Sequence, residues 1–130
     1  MSLTVEQWID GYRAAWEGRD PDAAAALFTE DASYRTAPYS EPELGREGVR
    51  AYWASVTATQ QEVKLLTGTP VVEGDRAAVE WWVTMLNGGA EVTLAGEFLL
   101  RFDENGLCRE LREYWHFGEG RLTPPEGWGR

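Results

Sequence analysis

Among the residues that could do chemistry, Glu113 stands out. It lies in the run Leu111-Arg112-Glu113-Tyr114-Trp115, where strand alternation puts Leu111, Glu113 and Trp115 on one face. A carboxylate set between apolar neighbours on an inward face loses hydration, so its charged form is disfavoured and its pKa rises. Such a group can serve as a general acid or base near neutral pH. The same position also suits a structural carboxylate, paired with Arg35 or Arg109 or bonded to a tyrosine hydroxyl. The second feature is the aromatic load: seven Trp, five Tyr and four Phe in 130 residues, in a chain whose mean hydropathy is −0.44. Pattern places Trp8, Trp16, Trp53, Trp81 and Trp115 on buried faces. There they serve as core or, near a cavity mouth, hold a flat apolar ligand. Trp81 and Trp115 are the foremost ligand-holding candidates, joined by Trp53, Phe98 and Leu111 on the inner surface.

Other chemistries are excluded or disfavoured by composition. Cys108 is the single cysteine, so no disulfide forms within the chain. Cys108 and His116 together fall short of a zinc ligand set, and Asp20, Asp22, Glu30 and Asp31 lack metal-ligand spacing, so no metal and no cofactor are expected. Twelve Lys and Arg against 22 Asp and Glu leave a net charge of −10, which repels phosphate backbones and argues against nucleic acid. No stretch approaches the roughly 18 apolar residues of a membrane span, and no leader pattern opens the chain. A soluble cytoplasmic protein is the expectation.

The elements that must position these residues are readable from period and caps. Thr4 and Gln7 form a capping box, followed by Val5, Trp8, Ile9, Tyr12 and Trp16 on one helical face, ending near Gly18. Asp20 with Pro21 starts a second short helix that continues over 23–28. A strand is predicted at 32–36 and a third helix at 46–60, with Val49, Tyr52, Trp53 and Val56 inward. After residue 61 the period becomes two. Strands are predicted at 62–72, interrupted or placed at an edge by Pro70, and at 76–86, 91–102 and 107–117. Their turns are Glu73-Gly74-Asp75, Asn87-Gly88-Gly89 and Asp103-Glu104-Asn105-Gly106. Alternation places Ala77, Val79, Trp81, Val83 and Met85 inward on one strand. It also places Leu107, Arg109, Leu111, Glu113, Trp115 and Phe117 inward on the last, with Cys108 and His116 outward. The fold class is α+β: three N-terminal helices wrapped by one curved, mainly antiparallel sheet. A single domain over 1–117 and an irregular tail over 118–130 complete the organisation. On the outer face, Trp82, Leu99 and Tyr114 form an apolar row that a homodimer would cover.

Three stretches carry a family likeness over roughly residues 4–117: Ser33-Tyr34-Arg35-Thr36-Ala37-Pro38 with Gly45-Arg46-Glu47-Gly48-Val49, Leu94-Ala95-Gly96-Glu97-Phe98, and Asn105-Gly106-Leu107 leading to Leu111-Arg112-Glu113-Tyr114-Trp115-His116. With them the chain resembles the SnoaL-like branch of the nuclear-transport-factor-2-like superfamily, which includes polyketide cyclases, ketosteroid isomerases and limonene-epoxide hydrolases. The resemblance implies a cone with a pocket at its open end and, often, dimerisation through the outer sheet face. It also implies acid–base work for Glu113, with Tyr34 and Thr36 holding a water or polarising an oxygen. The Arg and Asp that those hydrolases use on a middle strand fall at about Ala77 and Val79 here, so their relay is broken. The function expected is binding of a small hydrophobic molecule, with cofactor-free isomerase, cyclase or hydratase chemistry through Glu113. The alternatives are a non-catalytic binding protein, or a dimeric accessory protein whose cone is filled by tryptophan. A cavity of roughly 300 Å³ or more reaching Glu113 would separate the ligand readings from the filled cone.

Overall fold

Helix α1 (Val5–Glu17) begins where Thr4 and Gln7 exchange side-chain-to-backbone hydrogen bonds, and it buries Trp8, Ile9, Tyr12, Ala15 and Trp16. The computed structural model describes residues 2–130. Asp20 caps α2 (Pro21–Ala25) by accepting from the Ala23 amide. This helix is shorter than the sequence reading, because the chain straightens at Phe28 into β1 (Phe28–Arg35). A two-residue strand, β2 (Glu43–Leu44), leads into α3 (Gly45–Thr57), which buries Val49, Trp53 and Thr57. Pro70 divides the next predicted strand: β3 (Gln60–Thr67) and β4 (Val71–Glu73) lie on either side of it. Three long strands follow: β5 (Arg76–Asn87), β6 (Ala90–Phe102) and β7 (Cys108–Glu119).

All seven strands form one curved sheet in the order β2-β1-β7-β6-β5-β3, with β4 also paired to β5. Every pairing is antiparallel except β1 with β7, which run parallel. That exception brings the first strand of the chain beside the last, so Tyr34 faces Leu111 in register and stands close to Glu113. Alternation is obeyed through β5: Ala77, Val79, Trp81, Val83 and Met85 are all buried. It slips once in β7. Arg101 pairs with Glu110 but Phe102 pairs with Cys108, so Arg109 is an extra residue in a bulge. The sequence-based placement of Arg109 inside and Cys108 outside is therefore reversed. Cys108 is fully buried, and Arg109 reaches Asp75 at 2.8 Å on the surface.

Gly96 marks where the sheet tightens. A Cβ there would lie 2.0 Å from the Tyr114 carbonyl oxygen and 2.7 Å from the Trp115 Cα, so β6 and β7 approach too closely for any other residue. Beyond this point the inward residues of β7 emerge. Trp115 is 42% exposed and Phe117 58% exposed, against the sequence reading that buried Trp115. These two rings stand at the mouth of the sheet.

The last residues do not cap that mouth. They cross the outer face, where Trp82 Nε1 donates to the Leu122 carbonyl at 3.0 Å and packs edge-on against Trp128. The Gly129 carbonyl accepts from the Thr69 amide at 2.8 Å. Part of the apolar row expected to face a second chain is thus covered by the protein's own tail, while Tyr114 stays 38% exposed. No helix is long and apolar enough to cross a membrane among the described residues.

Candidate active site

A cavity of about 220 Å³ opens at the mouth of the sheet and reaches inward to Glu113. Helix α1 contributes Trp16 to its wall, and α3 contributes Tyr52, Trp53 and Val56. The sheet contributes Tyr34, Trp81, Val92, Leu94, Glu113, Trp115 and Phe117, with Gln60 and Asn87 as the polar neighbours. The volume lies below the roughly 300–1,000 Å³ of drug-sized ligand sites and below the size set above. It still excludes a cone filled solidly by tryptophan. A larger concavity, about 650 Å³, lies on the outer face between the sheet and the tail. Glu80, Glu97 and His116 line it, but no buried ionisable group does.

Glu113 is 8% exposed, and no cation pairs with it among the described residues. Its partner is the Tyr34 hydroxyl, which donates to Oε1. The Tyr12 hydroxyl lies 3.0 Å from that of Tyr34. The one proton of Tyr34 is committed to the carboxylate, so Tyr12 is the donor of the second bond. The result is a chain from Tyr12 through Tyr34 to Glu113. Burial pushes the Glu113 carboxyl up from the usual 4.5 to about 8, and the bond from Tyr34 offsets part of the rise. Burial first, and the Glu113 charge second, hold both Tyr12 and Tyr34 well above the ordinary phenol range. Neither phenol ionises near neutral pH, so both remain donors.

The indole groups divide sharply. Trp8 Nε1 donates to the Leu27 carbonyl at 2.8 Å, Trp16 Nε1 to Gln60 Oε1 at 3.0 Å, and Trp115 Nε1 to the Thr36 carbonyl at 3.0 Å. Trp53 Nε1 and Trp81 Nε1 are buried without a partner among the described residues. Each unpaired buried donor costs about 1–3 kcal/mol, and both indoles belong to the cavity wall.

With this geometry in view, the relatives can be placed. The SnoaL-like domain family matches residues 5–111. The chain belongs to the SnoaL-like family. A steroid Δ-isomerase from Nocardioides simplex is 25% identical over 124 residues, covering 95% of this chain and 99% of that protein. Among solved structures, a hypothetical protein of ketosteroid isomerase-like fold from Catenulispora acidiphila, in complex with trimethylamine, superposes with a TM-score of 0.76 at 23% identity. The match covers 85% of this chain and 86% of the other. The epoxide hydrolase/cyclase-like enzyme SalBIII, described for pyran ring formation in the polyether salinomycin, gives a TM-score of 0.77 at 21% identity. It covers 88% of this chain and 94% of that enzyme. These likenesses agree with the α+β roll described above.

Within this SnoaL-like chain the structure gathers some of the sequence-selected residues and separates others. Glu113, Tyr34, Trp53, Trp81 and Trp115 all line the cavity. Thr36 does not. It follows the last residue of β1, and its carbonyl is occupied by Trp115. Phe98 is stacked behind Trp81 at 5.3 Å, away from the opening. Leu111 is fully buried beside Leu100, one inward position deeper than Glu113. Both belong to the packed interior instead of the ligand wall, because the sheet curves and only the residues past Phe98 and Glu113 border the opening. Sequence reasoning gives Tyr12 only a place on the apolar face of α1. The signal available was a hydroxyl in an otherwise apolar helical stripe, which needs a partner when buried. Cys108 is sealed inside, its thiol pushed up to about 12 by burial, and so it is inert as a nucleophile. No group of three or more His, Cys, Asp or Glu residues is placed to hold a metal ion among the described residues.

Proposed function

We propose that this SnoaL-like protein binds a compact apolar molecule in the cavity and moves a proton on it through Glu113, as an isomerase-type enzyme without a cofactor. The observation that carries this reading is Glu113 itself: a buried carboxyl in an apolar, open-ended cavity, locked by a tyrosine instead of an arginine. Tyr34 engages Oε1, so Oε2 is the oxygen available to a ligand. A group titrating near pH 8 is mostly protonated at neutral pH and exchanges its proton readily in either direction. In an isomerisation, Oε2 would take a proton from a carbon beside a carbonyl. The electron pair moves into the carbonyl as an enolate, and the same proton returns to a second carbon of the conjugated system. Nothing is oxidised or reduced and no group is lost. Tyr34, backed by Tyr12, would hold the carboxyl in one orientation for both transfers.

Isomerisation is favoured over epoxide hydration because Ala77 and Val79 are both buried and apolar; a hydrolytic relay has no second carboxylate or arginine there. The relationship to a steroid Δ-isomerase supports the same choice. The test is deuterium uptake at the carbons next to the carbonyl in a panel of cyclic ketones. It is combined with conversion of 3-cyclohexen-1-one and 5-androstene-3,17-dione to their conjugated enones. Wild-type protein should accelerate exchange on at least one member, and Glu113→Gln should lower that rate by about 10²- to 10⁴-fold. Exchange that is equal in the two proteins across the panel refutes the acid–base role and leaves binding without turnover.

A further inference from the structure

The cavity has a second polar end, away from Glu113. Gln60 opens β3 and Asn87 closes β5, and the two are direct partners across the ladder. Both line the cavity. The row of Val79, Phe98 and Glu113 crosses the sheet nearer the other end of β5. Gln60 is 4% exposed and is fixed from two sides. Trp16 Nε1 donates to its Oε1 at 3.0 Å, and Arg19 donates to its backbone carbonyl at 3.1 Å. An indole N–H only donates, so the carboxamide turns its oxygen to Trp16 and its nitrogen away. That nitrogen, Nε2, has no partner among the described residues. It differs from the sealed, unpartnered nitrogens of Trp53, Trp81 and Arg112 in keeping accessible surface, and the cavity is the space that Gln60 lines. Asn87 repeats the arrangement at the exposed rim. Thr59 Oγ1 donates to its Oδ1 at 2.7 Å, which leaves Nδ2 as a free donor.

Satisfying Trp16 requires only an acceptor. A carboxamide adds N–H donors that this contact leaves unused. Two such groups side by side at the rim of an otherwise apolar cavity call for an acceptor on the ligand. The net charge of −10 and the carboxyl at the inner end disfavour an anion, so the matching group is an uncharged oxygen of a ketone, ester or ether. We infer that Gln60 and Asn87 hold an oxygen at the outer end of the ligand, and so select apolar ring compounds that are oxygenated at the end remote from Glu113. The inference rests on the cavity being a small-molecule site and narrows its substrate class. The two carboxamides bind and orient; they take no part in moving the proton. A ring compound anchored at its outer end presents its other end to Glu113 in one direction, whereas an unanchored one enters either way round. Because both carboxamide oxygens are already engaged, the donors are aimed before the ligand arrives, and little ordering is left for binding to impose.

The test uses full-length protein labelled with ¹⁵N at its five side-chain carboxamides, those of Gln7, Gln60, Gln61, Asn87 and Asn105. It is titrated with 2-decalone and, separately, with decalin-2,6-dione, which carries a second oxygen at the opposite end of the same ring body. At about pH 6, below the value of about 8 to which burial lifts Glu113, the carboxyl keeps its proton, and the dione meets a donor at each end. Calorimetry should show the dione binding about three- to tenfold more tightly than the monoketone. The NH₂ signals of Gln60 and Asn87 should move, while those of Gln7 and Asn105 stay still. Asn87→Asp keeps an oxygen facing Thr59 and exchanges the free donor for a carboxylate oxygen at an exposed position, so it should remove most of the preference. Equal affinity for the two ketones, dione binding that leaves both signals in place, or a preference that survives Asn87→Asp would overturn the inference and still leave the cavity a ligand site. Failure of both ketones to bind overturns the small-molecule reading and this inference with it. The deuterium-exchange measurement reads Glu113 separately: dione preference without exchange keeps the outer donors and removes the catalysis.

Discussion

The two ends of the inner sheet face are built from the same residue types and behave as different materials. At the packed end, Trp8 stacks on Tyr12 at 5.1 Å and meets Phe28 and Phe102 edge-on at 5.8 and 5.7 Å. Its one polar atom is satisfied by Leu27. At the open end, Trp53, Trp81, Tyr34 and Glu113 are almost as buried, yet two donors are unpaired and one carboxyl is kept from its ordinary ionisation. Aromatic rings make a core where their polar atoms are paired. At the open end the same ring types surround a cavity, and two of their nitrogens are left unpaired. The difference is in the hydrogen bonds, not in the hydrophobicity.

Changes at the open end should act on chemistry, and changes at the packed end on stability. The largest effect expected is the loss of proton transfer in Glu113→Gln, by the 10²- to 10⁴-fold given above. The same substitution has a distinct signature in urea unfolding. Folded wild-type protein keeps the Glu113 proton up to about pH 8, whereas the unfolded chain releases it near 4.5. Between those values the folded state binds more protons, so this group's contribution is complete below about pH 4.5 and is lost as pH rises through 8. The slope approaches 1.4 kcal/mol per pH unit. Glu113→Gln should remove that slope and unfold at higher urea than wild type near pH 8. An unchanged slope would mean that Glu113 ionises freely and is no different from a surface carboxylate.

Phe28→Ala, at the packed end, should cost about 3–5 kcal/mol in chemical denaturation while leaving the exchange rate per folded molecule intact. A matching loss of rate would mean that the two ends are not separable. Tyr34→Phe tests the link between them, since it removes the donor to Glu113 and leaves the Tyr12 hydroxyl alone. It should destabilise by about 2 kcal/mol and move the pH profile of exchange above the wild-type value, because the bond that lowers the Glu113 pKa is gone. The smallest effect expected is that of Thr4→Ala, which deletes the α1 cap far from the cavity. It should cost about 1 kcal/mol in thermal unfolding with no change in activity.

Much of this division was already legible in the chain. The capping box at Thr4, the cap at Asp20, the break at Pro70 and the inward set on β5 follow from local rules and hold in the structure. Glu113 was recognisable as inward by parity with Leu111. Parity failed at Arg109 and Cys108, because a bulge depends on how β6 and β7 pair and leaves little trace in a single strand. It also set Trp115 and Phe117 facing inward without showing that they stand exposed at the mouth, since alternation gives a side without saying whether anything covers that side.

The order of elements, the α+β class, the aromatic inner face and the inward carboxyl were determined by sequence alone, because period, caps and turn residues act over short stretches of chain. Tertiary structure decided the rest. Parallel pairing of β1 with β7 brings Tyr34 to Glu113 across 79 residues of chain, which neither strand encodes by itself. Packing decided which indoles found acceptors: Gln60 satisfies Trp16, and nothing in the described protein satisfies Trp53 or Trp81. A hydrogen bond depends on positions matched to fractions of an ångström. That precision exists only after the helices and the sheet have closed on one another.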